Sequence, residues 1–384
     1  MAFYFMLLLR YREIPPDMKR LTTLLTISVI LLFASCSQRN AEVEYFAFRS
    51  TETDFWGMMS PDGEVLVDGK FMFPPHYASQ GVFLAQEDDG MYGFYTADKK
   101  LQRINDEHYV MAQPFRFDNY TAVCREGDTH FTIIDTRGRE VASLPDSIVD
   151  IGLFSGGLAP FVIDDIVPRM GYIDSQGRVA IAPHYSFATN FLCGVALVEE
   201  ITVGGSKLSV ITPDGIAVYT FDNSWRPLAT EYSDGLLPVI GTHGEIAFLD
   251  THGKIAIAPS DKWRMCRPNN PATVPYTFKA GRAIFSDGFH YGLIDKKGRV
   301  VVPAQYLNIY LGEGGLFVAE NKDHRWGCID SDGNVVIPFE HLPGVIRRSI
   351  TPHTIVMQNE AQRYRLVNHK GDVISKPFEN YQIK

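Results

Sequence analysis

A chain of 384 residues that is 45% hydrophobic is long enough to bury a large core. Its formal charge of -9 argues against nucleic acid or an anionic membrane surface as a partner. Five cysteines occur, and no CxxC or Cys/His spacing among them suggests a metal or redox site.

Residues 1–35 form an export signal. Met18-Lys19-Arg20 is a basic start, and Leu21 to Phe33 is an apolar run of 13 residues, too short to span a bilayer. Met18 alone opens a complete signal and is the expected start. The run ends in Phe33-Ala34-Ser35-Cys36, which resembles the lipobox of bacterial lipoproteins. That resemblance implies cleavage before Cys36, acylation of its thiol and attachment to a membrane, the outer membrane of a Gram-negative bacterium. Residues 36–44 are then a lipidated tether and 45–384 the folded domain. Loss of residues 1–35, with four basic and two acidic side chains, leaves a charge of -11.

The rest of the chain repeats itself. Nine copies of one turn motif occur: FWGMMSPDG, MYGFYTADK, HFTIIDTRG, RMGYIDSQG, KLSVITPDG, EIAFLDTHG, HYGLIDKKG, RWGCIDSDG and RYRLVNHKG, spaced 35 to 45 residues apart. Such a period marks a repeat architecture that absorbs the whole length as one domain. The residue before the glycine column (Trp56, Met170, Trp326) and the residue two further on are apolar in every copy and share one strand face. The column after that (Met59, Ile173, Ile329) faces the other way and is apolar too, which predicts a strand buried on both sides. A mostly small residue in the glycine column fits close approach of a neighbouring backbone.

Asp, Asn, Ser or Thr then stands three residues before Gly in eight of the copies, the signature of a tight turn between two strands. These aspartates are therefore expected to cap turns. A second apolar strand usually ends at proline (Pro183, Pro303, Pro338). A third is predicted over FSGGLAPFVI, FLCGVALV and FKAGRAIF. Cys124, Cys193 and Cys328 lie in apolar strand segments and read as buried thiols, while Cys266 is in a loop.

Gly157-Leu158-Ala159 through Tyr185, and Trp326-Gly327 through Pro338, resemble the WG-repeat (KWG) family. The resemblance covers about residues 45–384, with both W and G lost at Leu208-Ser209 and Ile246-Ala247. It implies an all-β repeat protein, often exported, and brings no catalytic residues. The expected fold is an array of about nine repeats of three to four strands, propeller-like, with an open curved β-solenoid as the alternative. The chain begins and ends with the same strand set, so no borrowed strand is expected to lock a ring.

Loops before the WG column emerge at one end and are acidic. Asp88, Asp89, Asp164, Asp165, Glu199 and Glu200 are candidates for a negative rim that holds a basic partner or a cation. The 45-residue step carries an insertion, Ser260 to Thr277, where Trp263 with Arg264 and Arg267 would suit stacking on a sugar or an aromatic group. No HExxH, GxSxG, Walker A or GxGxxG motif occurs. The expectation is a non-enzymatic envelope lipoprotein that binds protein or peptide, without metal or cofactor. A glycan-binding surface protein is the first alternative, and a glycan hydrolase with a dispersed carboxylate pair the second.

Overall fold

The computed structural model describes residues 45–382 except 77, 88, 99, 267, 269–270, 313–314, 352–353, 359–362, 369 and 371. Cys36 and the whole of residues 1–35, where an export signal is expected, lie outside the described residues, as do Asp88 and Arg267. The described chain forms antiparallel strands and turns without a helix.

The repeat unit is clearest between residues 148 and 185. Strands Ile148–Ile151, Leu158–Ile163, Arg169–Asp174 and Val179–Tyr185 hydrogen-bond in that order. Seven such sheets form, and two of them each join two units, which makes nine blades. In the third strand of this blade Tyr172 and Ile173 are both fully buried, on opposite faces. Tyr172 packs with Phe191, Val198 and Ile211 of the following blade. Ile173 packs with Ile133 and Phe131 of the preceding one. The predicted two-sided burial is thus the contact between successive blades.

Nine apolar clusters connect the blades in succession. The last of them packs Val356, Leu366 and Phe378 against Phe46, Phe48 and Met59, which joins the ninth blade to the first. The strand Phe378–Gln382 pairs with Phe46–Ser50 through Ala47↔Gln382, Phe48↔Tyr381 and Arg49↔Asn380. It occupies the place that Ile148–Ile151 holds in the fourth blade. The first blade therefore borrows its first strand from the far end of the chain, contrary to the expectation that no strand is borrowed. The result is a closed nine-bladed ring of sheets and not an open array.

Two local features also differ from the expectation. The segment FSGGLAPFVI is not one strand: Ser155 to Leu158 form a two-residue hairpin turn with both central residues left-handed, and the strand begins at Leu158. The same turn recurs at Gln80-Gly81, Cys193-Gly194, Asp234-Gly235 and Ala280-Gly281, all at positive φ. Cys193 is therefore a turn residue and only half-buried, whereas Cys124 and Cys328 are core. Burial pushes the Cys328 thiol up to about 12, which keeps it neutral and inert.

The glycine column has a backbone cause. At Gly171 the fourth strand bulges, pairing Tyr172 with Ile181 but Met170 with Tyr185. An added Cβ would lie 2.5 Å from the Ile181 carbonyl oxygen and 2.8 Å from Pro183 N. Gly57, Gly292 and Gly327 meet the same carbonyl, from Val67, Val302 and Ile337, at 2.1 to 2.6 Å. Where the column holds Thr132 or Ser209, that residue pairs directly with Ser143 or Thr220, so the bulge is gone and a side chain fits. Gly171→Val should therefore lower stability by roughly 2–3 kcal/mol in urea unfolding. Ser209→Ala, which loses a 3.0 Å contact to Thr220 Oγ1, should cost about 1 kcal/mol.

Candidate functional site

Antiparallel pairing of Leu158 with Asp174 puts the aspartate turns and the left-handed hairpin turns at one end of the blades. The aspartate turns do what the sequence predicts. Asp174 Oδ1 accepts from the backbone N–H groups of Gln176 and Arg178, both at 2.9 Å. Asp135, Asp250, Asp295, Asp330 and Asn368 accept the equivalent pairs. Burial would raise the carboxyls of Asp135, Asp174, Asp295 and Asp330, but hydrogen bonds from the side chains of Arg139, Arg178, Arg299 and Asn334, together with these backbone bonds, outweigh it and hold them below the ordinary range.

The hairpin turns knit neighbouring blades together at this end. Asp118 Oδ2 accepts from Gly157 N–H at 2.9 Å, and Asp234 Oδ2 from Gly281 N–H at 2.6 Å. Ser155 and Ser233 donate to the carbonyls of Phe191 and Phe278. Arg282 reaches Ser331 O and Asp332, each at 2.7 Å. This end is committed to structure.

The opposite end carries the loops between second and third strands, and the candidate acids lie there. Asp165 pairs with Arg169, Glu200 with His184 at 3.1 Å, and Glu199 Oε2 accepts from Ser186 Oγ at 3.2 Å. Asp164 is exposed. Asp89 faces His108 at 3.6 Å. Four of the five described candidates thus have local partners. Sequence reasoning passed over a different property of these loops, their apolar tips. Phe55, Ile166, Val167, Ile201, Val203 and Phe289 are all exposed there, Ile166 at 99% and Phe289 at 85%.

A half-buried ionic cluster sits at the second blade. Glu87 accepts from Arg103 Nη1 at 2.7 Å and from Tyr95 OH, and faces His108 Nδ1 at 3.4 Å. A Cβ on Gly93 would meet Glu87 Oε1 at 2.6 Å and Arg103 Cζ at 3.3 Å, so here the glycine makes room for an ion pair. Glu87, Asp89 and His108 each bring one ligand-type atom within 4.8 Å of the others. Arg103 already supplies the positive charge, with Nη1 also 3.4 Å from His108 Nε2. That geometry makes the cluster an internal ion network.

The insertion is part of the scaffold. Trp263 is 3% exposed and packs edge-on against Phe248 at 5.8 Å, between the sixth and seventh blades. It offers no face to a sugar, and this corrects the expected stacking role. Arg264 N–H donates to Ser286 O and Tyr276 N–H to Ile284 O, so the insertion replaces the first strand of the seventh blade. The Tyr276 hydroxyl donates to Arg264 O at 2.7 Å and ties its two halves together. The Arg264 guanidinium donates to the carbonyls of Asp261 and Trp263.

First strands of successive blades converge on one cavity of about 500 Å³. It is lined by Tyr310 of the eighth blade, Ile346 and Arg347 of the ninth, Tyr381 of the borrowed strand and Val274 of the insertion. Four neighbouring blades can share one space in this way only along their inner edges, so the cavity lies towards the ring axis. Trp326, the tryptophan of the best-preserved WG copy, forms part of its wall.

A closed ring of antiparallel blades, six of the nine four-stranded, with one end fastened and the other looped, defines the molecule as a β-propeller. Residues 170–200, 291–322 and 326–340 match the family described as WG containing repeat, so the chain carries repeats of this kind. No curated protein matches the sequence. Among solved structures, BamB from Moraxella catarrhalis is similar at 13% identity and a TM-score of 0.34, over 80% of this chain and 93% of that one. A computationally designed protein, Ika8, is similar at 10% identity and 0.37, over 76% and 97%. Hsv2 of Kluyvelomyces marxianus is similar at 9% identity and 0.32, over 75% and 89%. The propeller assignment rests on the strand pairings, not on these likenesses.

The turn aspartates should make stability acid-sensitive. A carboxyl held low in the folded state stabilises it above the unfolded pKa of about 3.9, and that contribution is lost as pH falls through the folded value. The urea midpoint should therefore drop most steeply below about pH 4. Replacing Asp135, Asp174, Asp295 and Asp330 by Asn, the residue already present at 368, should flatten that drop.

Proposed function

We propose that this protein is an exported, lipid-anchored binding scaffold that holds a protein or peptide partner on its looped end. The observation that carries the reading is the set of apolar tips at that end: Phe55, Ile166, Val167, Ile201, Val203 and Phe289 stand in solvent beside acidic side chains. A soluble surface normally scatters such residues, and several at one end with a polar surround are typical of a protein-binding face. The other end is fastened by turn-to-turn hydrogen bonds, so sequence can vary in the loops without disturbing the ring. The acidic surplus favours a basic or neutral partner over nucleic acid.

The lipobox-like Phe33-Ala34-Ser35-Cys36 supports anchoring at Cys36 and residence in the outer membrane of a Gram-negative cell. The functional role is then binding rather than catalysis, without cofactor or metal. The glycan-binding alternative loses its proposed platform with the burial of Trp263.

Palmitate labelling of the expressed chain should disappear in Cys36→Ala; labelling that persists would refute the anchor. A photo-crosslinking residue at Phe289 or Val203 should capture a specific partner in the cell envelope, and one at Gln176, in the turn at the other end, should not. Equal capture from both ends would refute the looped end as the binding face.

A further inference from the structure

The axial cavity between the eighth blade and the borrowed strand has the chemistry of a small-ligand site. Its volume of about 500 Å³ is in the range of pockets that hold small molecules. Tyr310, Leu311, Ile346 and Tyr381 give it an aromatic and aliphatic wall. One charged group breaks that wall.

It is Arg347, the one charged side chain among the described lining residues. Its Nε and Nη2 both donate to Gln358 Oε1, a neutral acceptor, and its guanidinium lies 5.9 Å from the centre of the Tyr364 ring. It has no carboxylate partner among the described residues. Of its five N–H donors, three remain unused. Gly344, at φ +82°, lines the cavity beside the guanidinium; a Cβ there would stand 3.7 Å from it. Glu320, on the strand next to Trp326, is not a lining residue and is already held by Asn308 and His324.

We propose that this cavity binds a carboxylate-bearing ligand with an aromatic or aliphatic body. The carboxylate accepts from Arg347, and the body packs against Tyr310 and Tyr381. An arginine with free donors favours a carboxylate over a neutral acceptor. The same chemistry is offered by a small organic acid and by the free C-terminus of a peptide. The site is separate from the looped end and does not depend on what binds there.

The test uses the full chain labelled with 5-fluorotryptophan, whose four tryptophans give four resonances. Trp326 is assigned by its loss in Trp326→Phe. N-acetylphenylalanine should shift the Trp326 resonance, and the amide of the same compound should not. Arg347→Gln should weaken the acid roughly tenfold or more. A pentapeptide ending in free phenylalanine that binds more tightly than N-acetylphenylalanine identifies a chain terminus as the source; binding of the small acid alone identifies a free acid. Equal shifts from acid and amide would overturn the proposal, as would no shift from either acid up to about 10 mM. If Arg347→Gln does not fold, the acid–amide comparison on the unaltered chain still decides.

Discussion

Burial of the third strand of each blade on both faces is the constraint from which the rest of this fold follows. A sheet with Tyr172 on one side and Ile173 on the other, both fully buried, is stable only between two other sheets. Each blade passes the same requirement to the next, so an open array would leave an apolar face bare at each end. The chain meets the requirement by returning to its start. Phe378 packs on Phe46 and Phe48 with ring centres about 6 Å apart, and the strand that follows it completes the first blade. No terminal blade then needs a polar cap.

The degeneracy of the repeat has a physical pattern. Glycine, the bulged fourth strand and the proline-containing run that makes the bulge occur together in the fourth, seventh and eighth blades, because a carbonyl lies where a Cβ would be. Blades with Thr132 or Ser209 stay in register opposite that residue and shift only further along, and these third and fifth blades lack the long proline-bearing strand. The second blade is a third solution, with the space above Gly93 filled by Glu87 and Arg103. The W and the G of the motif thus answer different demands. The large residue serves the contact between blades, whereas the small one serves the backbone of its own blade.

This division also separates the two ends of the molecule. Hydrogen bonds from one blade's turn to the next hold one end in register, and they use backbone groups or short side chains that tolerate little change. Loops at the other end are released from that duty, which is why their lengths and apolar tips differ from blade to blade. The largest departure, the 260–277 segment, proves to be structural: it substitutes for a missing inner strand and buries Trp263 in the process. Irregularity in sequence marked a repair of the scaffold there, and not a binding loop.

Much of the architecture was legible in the chain itself. The period gave the repeat, the paired apolar columns gave strands buried on both faces, and the Asp-to-Gly spacing gave the turns, because each of these depends on contacts within some ten residues or on a pattern repeated nine times. The hairpin turn inside FSGGLAPFVI was missed although its two adjacent left-handed positions, Gly156 and Gly157, were visible. Closure was not legible, since Phe48 and Tyr381 are more than 300 residues apart and their pairing is specified by shape, not by local preference. Nor was the axial cavity, whose walls come from four blades. Sequence determined what each blade is; only the ring decided which strand completes the first blade and which side chains, Trp326 and Arg347 among them, meet around one space.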